Sequence, residues 1–162
     1  MSDPKPGGNL AVSRDEDLRQ AIELLFFAYR DFTARADAIL AKQGFGRAHH
    51  RVIYFVGRHP GITVSALLDI LGITKQSLSR VLSQLVRESY IMQKKGAEDG
   101  RQRLLHLTEK GRELERLLTT EQRARIAAAY RAAGTAAVEG FRKVMLGIMD
   151  DDARRRFKIP GR

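Results

Sequence analysis

One glycine separates two runs that each repeat apolar residues at helical spacing. Leu67, Leu68, Ile70 and Leu71 precede Gly72, while Leu78, Val81, Leu82, Leu85 and Val86 follow it at i, i+3, i+4, i+7 and i+8. Two helices this close in sequence cannot run on in line. Gly72 supplies the left-handed residue that a tight helix–helix turn needs, and Thr74 is placed to cap the second helix. Ile73, Leu78 and Val81 then lock the pair at a steep angle. The polar face of the second helix, carrying Gln76, Ser79, Arg80, Ser83 and Arg87, is left pointing outward.

The flanking sequence builds a mostly α-helical chain around this unit. Ser13 and Glu16 stand at capping-box spacing before a long amphipathic run. In that run Leu18, Ile22, Leu25, Tyr29, Phe32, Ala36 and Ile39 alternate by four and three, a heptad spacing. Gly44 and Gly46 end it, and a further helix is expected from about Arg47 to Gly57, with Val52, Ile53 and Val56 inward. His59-Pro60-Gly61 turns the chain, and Thr63 can cap the helix that ends at Gly72. Two short strands, Tyr90 to Lys95 and Arg103 to Leu107, flank the polar loop Gly96 to Gln102, which predicts a β-hairpin wing. Thr108 and Glu109 open another helix, Gly134 interrupts it, and a last helix carries Val138, Phe141, Met145 and Ile148. Asp150-Asp151-Asp152 caps a final turn that leads into Arg154-Arg155-Arg156 and a basic tail.

The expected division is a disordered arm over 1–13, a dimerisation helix over 14–45, a winged helix-turn-helix over 46–108, and dimerisation helices with the tail over 109–162. The outer helices carry more apolar stripe than a small central domain can cover. The simplest use of Leu18, Ile22 and Leu25 with Val138, Phe141, Met145 and Ile148 is packing against a second copy, so a homodimer is expected.

Charge points to the other partner. The chain of 162 residues has 29 Lys and Arg against 19 Asp and Glu, a formal charge of +10. That excess favours a polyanion, nucleic acid above an anionic membrane surface. From Thr74 to His106 seven basic residues stand against three acidic ones. Gln and Arg side chains can bond adenine and guanine edges in pairs, and Ser can bond bases or phosphates. In the hairpin, Arg101 is flanked by Lys94, Lys95 and Arg103, and an arginine of this kind suits a narrowed minor groove. A carboxylate at Asp99 would be repelled by phosphate, so its expected task is to pair with a nearby Arg and hold that guanidinium in place.

The stretch Leu67 to Gly111 resembles the multiple-antibiotic-resistance regulator (MarR) family. The resemblance is carried by Leu71-Gly72-Ile73-Thr74, Ser77-Leu78-Ser79-Arg80, Asp99-Gly100-Arg101 and Leu107-Thr108-Glu109-Lys110-Gly111. Gly46-Arg-Ala-His-His50 and Gly72 to Arg80 are most similar to its alphaproteobacterial PetP-like branch. The resemblance implies a dimeric winged helix with the reading helix in the major groove. It makes Arg101 the wing arginine with Asp99 as partner, and gives Lys75, Gln76, Ser77, Ser79 and Arg80 base and phosphate contacts. Thr74, Ser83, Lys94, Lys95 and Arg103 complete the expected DNA-binding set. Gly100 departs from the family's commoner charged residue, which implies a more flexible wing tip.

Other chemistry is poorly supported. There is no cysteine, which removes disulfides, thiolate metal sites and thiol redox sensing. No apolar run approaches the roughly 18 residues of a membrane span, and no signal core opens the chain. His49 and His50 are adjacent, so on a helix they point about 100° apart, and no metal or cofactor is expected. The aromatics Phe26, Phe27, Tyr29, Phe32, Tyr54 and Phe55 are expected mainly in the core. Tyr29, Phe32, His50 and Tyr54 are the candidates for an effector pocket, whose occupant would be a small aromatic or amphipathic molecule. No nucleophile elbow or phosphate loop is found, so no enzyme is expected. The expected function is a cytoplasmic, nucleoid-associated, sequence-specific transcriptional regulator, a repressor, on an inverted-repeat operator. The alternative is a winged-helix nucleic-acid-binding or architectural protein without sequence preference.

Overall fold

The computed structural model describes residues 15–157. The expected arm over 1–13, the Ser13 cap and Pro160-Gly161 lie outside the described residues. The described chain runs α1 (Asp15–Ala41), α2 (Arg47–Arg58), β1 (Ile62–Thr63), α3 (Val64–Leu71), α4 (Lys75–Arg87), β2 (Ile91–Lys95), β3 (Arg103–Leu107), α5 (Glu109–Ala133), α6 (Thr135–Ile148) and α7 (Asp151–Arg156). It is mostly helical with a small antiparallel sheet, as the sequence predicts. The described residues divide into two compact units, one ending at Arg35 and the other beginning at Ala36.

Threonine caps set the helix starts in the second unit. Thr63 Oγ1 accepts from Ala66 N–H at 3.1 Å and Thr74 Oγ1 from Ser77 N–H at 3.1 Å. Thr108 Oγ1 accepts from Gly111 N–H at 3.0 Å. Such caps are each worth about 1 kcal/mol. Gly72 ends α3 at φ 61°, ψ 28°, the left-handed conformation expected of it. The core gathers Val52, Ile53 and Val56 of α2, Leu67 of α3, Leu78, Leu82 and Leu85 of α4, Leu105 and Leu107 of β3, and Leu114 and Leu118 of α5. Ile73 and Val81 pack at its edge and close the angle between α3 and α4.

The wing is more than a hairpin. β3 pairs with β2 from Ile91↔Leu107 to Lys95↔Arg103, and its other edge takes β1 through Ile62↔Leu105 and Thr63↔Leu104. Tyr90 stands just before β2 rather than in it. It is buried, and its carbonyl accepts from the N–H of Thr108 at 3.0 Å. Gly111 is glycine for a steric reason: a Cβ there would overlap the Tyr90 carbonyl oxygen. Thr108 Oγ1 also donates to Ser89 O at 2.6 Å, and Lys110 Nζ donates to Glu88 O at 2.9 Å while lying over the Tyr90 ring. The Thr-Glu-Lys-Gly segment is thus the clasp between the root of the wing and α5.

The aromatic expectation needs correcting. Phe26, Phe27 and Tyr29 are exposed rather than in the core, Phe26 by 62%. Phe32, Tyr54 and Phe55 are half-buried, and only Phe55 of the six packs against the core cluster. Phe26 meets Phe27 edge-on at 5.2 Å, and the Arg30 guanidinium lies 4.9 Å from the Phe27 ring, so these rings are met by neighbours on their own helix rather than by the core cluster.

Along the same helix Leu18, Ile22 and Leu25 are 53%, 67% and 42% exposed. In the second unit Phe141 and Ile148 are also exposed, while Val138 and Met145 are half-buried. Asp150 Oδ1 caps α7 by accepting from Ala153 N–H at 2.9 Å. The arginines of α7 turn back onto its acids, Arg154 to Asp151 and Arg155 and Arg156 to Asp152. Among the described residues no helix is long and apolar enough to cross a membrane.

Candidate nucleic-acid interface

Helix α4 is fixed by what it buries. Leu78, Leu82 and Leu85 hold one side of α4 in the core. The opposite side therefore stays in solvent, and Lys75, Gln76, Ser79, Arg80 and Ser83 line a single shallow concavity on it. Gln76 and Arg80 are one helical turn apart on the same row, free to approach base edges from one direction. Thr74 and Ser77 are partly committed to the helix start, where the Thr74 hydroxyl donates to Ser77 Oγ at 2.8 Å. Both residues are exposed.

The wing presents its own cations. Lys94, Lys95, Arg101 and Arg103 are all exposed. Strand register separates them, because successive residues face opposite sides. Lys95 lies opposite Arg103 on one face, whereas Lys94 shares the other face with Met92 and His106. Lys94, Met92 and His106 together border a cleft against Pro60 and Arg112.

The expected Asp99–guanidinium pair is not what forms. Asp99 Oδ1 accepts the backbone N–H of Arg101 at 2.9 Å, an Asx-type turn that fixes the main chain of the wing tip. The tip is closed further by Gln102 N–H donating to Asp99 O and Gly96 N–H donating to Gln102 O, both at 3.1 Å. A different guanidinium touches the tip: Arg103 Nη1 donates to Gly100 O at 3.3 Å. A two-residue separation favours the backbone bond, since a carboxylate at that spacing reaches the amide before it reaches the end of a long side chain. Among the described residues no acceptor meets the exposed Arg101 guanidinium.

The residues expected to border an effector are not all on one element. Tyr29 and Phe32 belong to the first unit. Tyr54 lines a cleft between α2 and α5 with Gly57, Arg58, Glu115, Thr119 and Arg123, and His50 is not among its lining residues. Burial holds the His50 imidazole below its ordinary pKa. Asp37 and Glu115 oppose that shift, and Arg51 adds to it. His49 has a bonding role that sequence reading missed. Its ring joins α2 to Gln84 of α4, a contact 35 residues apart that no local pattern announces. Among the described residues no cluster of His, Cys, Asp or Glu could hold a metal ion.

Comparison with known proteins gives this geometry a family. Residues 43–102 match the MarR family. A relative, the HTH-type transcriptional regulator PetP of Rhodobacter capsulatus, is 52% identical over 155 residues, 95% of this chain and 93% of the relative. Among solved structures, Streptococcus pneumoniae FabT in complex with DNA superposes with a TM-score of 0.71 at 21% identity, covering 81% of this chain and 94% of that one. A SlyA-like transcription regulator from Listeria monocytogenes gives a TM-score of 0.64 at 22% identity, over 82% and 91% of the two chains. These two structures share the fold, and the match to the Rhodobacter protein covers 95% of this chain. The chain belongs to the MarR family of transcription regulators.

Proposed function

We propose that this protein is a sequence-specific DNA-binding transcription regulator, a repressor, that acts as a homodimer on an inverted-repeat operator. The observation that carries the reading is the free polar face of α4, with Gln76 and Arg80 on one row beside a basic wing. The names of the relatives support it: one is an HTH-type transcriptional regulator, and FabT was solved in complex with DNA. Thr74, Lys75, Gln76, Ser77, Ser79, Arg80 and Ser83 contact the major groove or its phosphates. Arg101 enters the minor groove from a tip held by Asp99, and Lys94, Lys95 and Arg103 meet phosphate.

Dimerisation uses the apolar stripes of the outer helices, Leu18, Ile22 and Leu25 with Val138, Phe141, Met145 and Ile148. We assign 14–45 and 109–162 to that task and 46–108 to DNA. The protein works by binding rather than catalysis, in the cytoplasm on nucleoid DNA. The effector is a small aromatic or amphipathic molecule held near Tyr54. Tyr54 lining a cleft between α2 and α5 supports that part.

The test is competition between a selected operator fragment and random DNA for the purified protein. Specific binding is expected to be on the order of 10³-fold or more tighter. Equal affinity for both would leave the architectural alternative, for which the +10 charge already provides attraction.

A further inference from the structure

His49 sits three residues into the start of α2, where the ring does two jobs at once. Its Nδ1 accepts the N–H of Gly46 at 3.1 Å, the reach-back half of a helix-start capping arrangement. With Nδ1 occupied as acceptor, the neutral ring carries its proton on Nε2. Nε2 lies 2.8 Å from Gln84 Oε1 and so donates to it. Cap and tautomer together determine which atom of Gln84 is held.

The ring is not free to swing. It stacks on Phe45 with centroids 4.7 Å apart and planes at 16°. Phe45 in turn meets the edge of Tyr90 at 5.2 Å, and both are buried. Tyr90 Oη donates to Gln43 Oε1 at 3.3 Å. The imidazole is therefore aimed by a packed aromatic stack, the condition under which a supporting hydrogen bond sets geometry rather than follows it.

Gln84 is the informative end. It lies four residues beyond Arg80 and eight beyond Gln76, on the same row of α4. The apolar side of α4 is gripped by Leu78, Leu82 and Leu85, but leucine packing tolerates small rolls of a helix about its axis. A directional bond on the reading row resists such a roll. We infer that His49 is a positioning residue for DNA readout, holding the angular set of α4 through Gln84 so that Gln76 and Arg80 meet base edges in register.

The inference rests on the operator-binding function proposed above, and the experiment separates the two. Operator and random-DNA affinities are measured for wild type, His49→Asn, His49→Gln, Gln84→Ala and the double variant His49→Asn with Gln84→Ala, alongside thermal unfolding. Asn keeps an acceptor at the Nδ1 position for Gly46 and loses the reach to Gln84. Gln is the ordinary capping-box residue at this position and has an amide nitrogen long enough to donate to Gln84. His49→Asn and Gln84→Ala are each expected to lower discrimination between operator and random DNA by about three- to tenfold, the worth of one hydrogen bond. Random-DNA affinity should hold in both, and the unfolding temperature should hold in Gln84→Ala, which leaves the His49–Phe45 stack in place. The double variant should be no worse than either single one, and His49→Gln should recover most of the discrimination.

Unchanged discrimination in both single variants would overturn the inference. So would a parallel loss for operator, random DNA and stability, which marks a merely structural bond. A wild type that does not discriminate would instead overturn the operator-binding function itself.

Discussion

The beginning of α1 and the whole of α4 carry the same kind of apolar period and put it to opposite use. In α4 the period is spent inside the chain: Leu78, Leu82 and Leu85 are at most 5% exposed. What remains free is polar and basic. In α1 the stripe through Leu18, Ile22 and Leu25 lies open, and what remains free is apolar. An amphipathic period alone therefore does not say what a helix meets. The face left uncovered does, and its chemistry separates a nucleic-acid partner from a second copy of the chain.

The largest expected effect breaks the open stripe. Replacing Ile22 and Leu25 together by Asp should give a monomer in sedimentation at micromolar concentration. Operator affinity should fall on the order of 10²–10⁴-fold, because the second half-site would no longer be held at high effective concentration. A stable dimer in that variant would place the interface elsewhere.

On α4 the comparison is sharpened by separating readout from attraction. Gln76→Ala or Arg80→Ala should relax preference at particular base positions, at about 1–3 kcal/mol each. Lys94→Ala and Lys95→Ala should weaken all sequences alike and shallow the salt dependence. Since the two lysines face opposite sides of the wing, the larger effect identifies the side turned to DNA. Selection of bound sequences at several salt concentrations reads all four variants, and identical profiles for the two classes would contradict the assignment.

A smaller effect is expected at the wing tip. Asp99→Ala removes the acceptor for the Arg101 N–H and should reduce operator affinity by about 0.5–1.5 kcal/mol. Asp99→Asn keeps that acceptor and removes a charge that phosphate repels, so operator affinity should be equal to wild type or tighter. In a variant already lacking the Arg101 side chain, Asp99→Ala should add nothing further. If Asn behaves like Ala in titrations on operator DNA, charge and not the turn is what Asp99 supplies.

The smallest effect concerns pH. Burial lowers the His50 pKa in the folded chain, so on acidification the unfolded chain takes up that proton first. The cost is absent above the ordinary histidine pKa of about 6.5 and grows as pH falls from there toward the folded value. Denaturant titrations should show stability declining more steeply from pH 7 toward 5 in wild type than in His50→Gln. The opposite ordering would contradict the sign of the shift.

Much of this was legible in the sequence because its signals are local. Thr63, Thr74 and Thr108 cap within three residues, Gly72 marks its own turn, and the polar loop between two short apolar runs announces the wing. β1 was not legible: two residues, Ile62 and Thr63, become a strand only by pairing with Leu105 and Leu104. The exposure of Phe26 and Phe27 was misjudged because aromatic character predicts burial without saying in which molecule. Asp99 was correctly placed in the wing but given the wrong donor, since charge complementarity suggested a guanidinium where chain geometry favours an amide. The His49–Gln84 bond joins α2 to α4 across a long sequence gap and only folding brings it into view.

The central claim, that a two-fold dimer reads DNA through α4, is tested most directly by footprinting. Fragments of the source genome are selected with the purified full chain, and the bound site is mapped at base resolution. The account predicts a protected inverted repeat with half-site centres about one helical turn, ~10 base pairs, apart. A single asymmetric half-site, or no fragment enriched over random DNA, would contradict it.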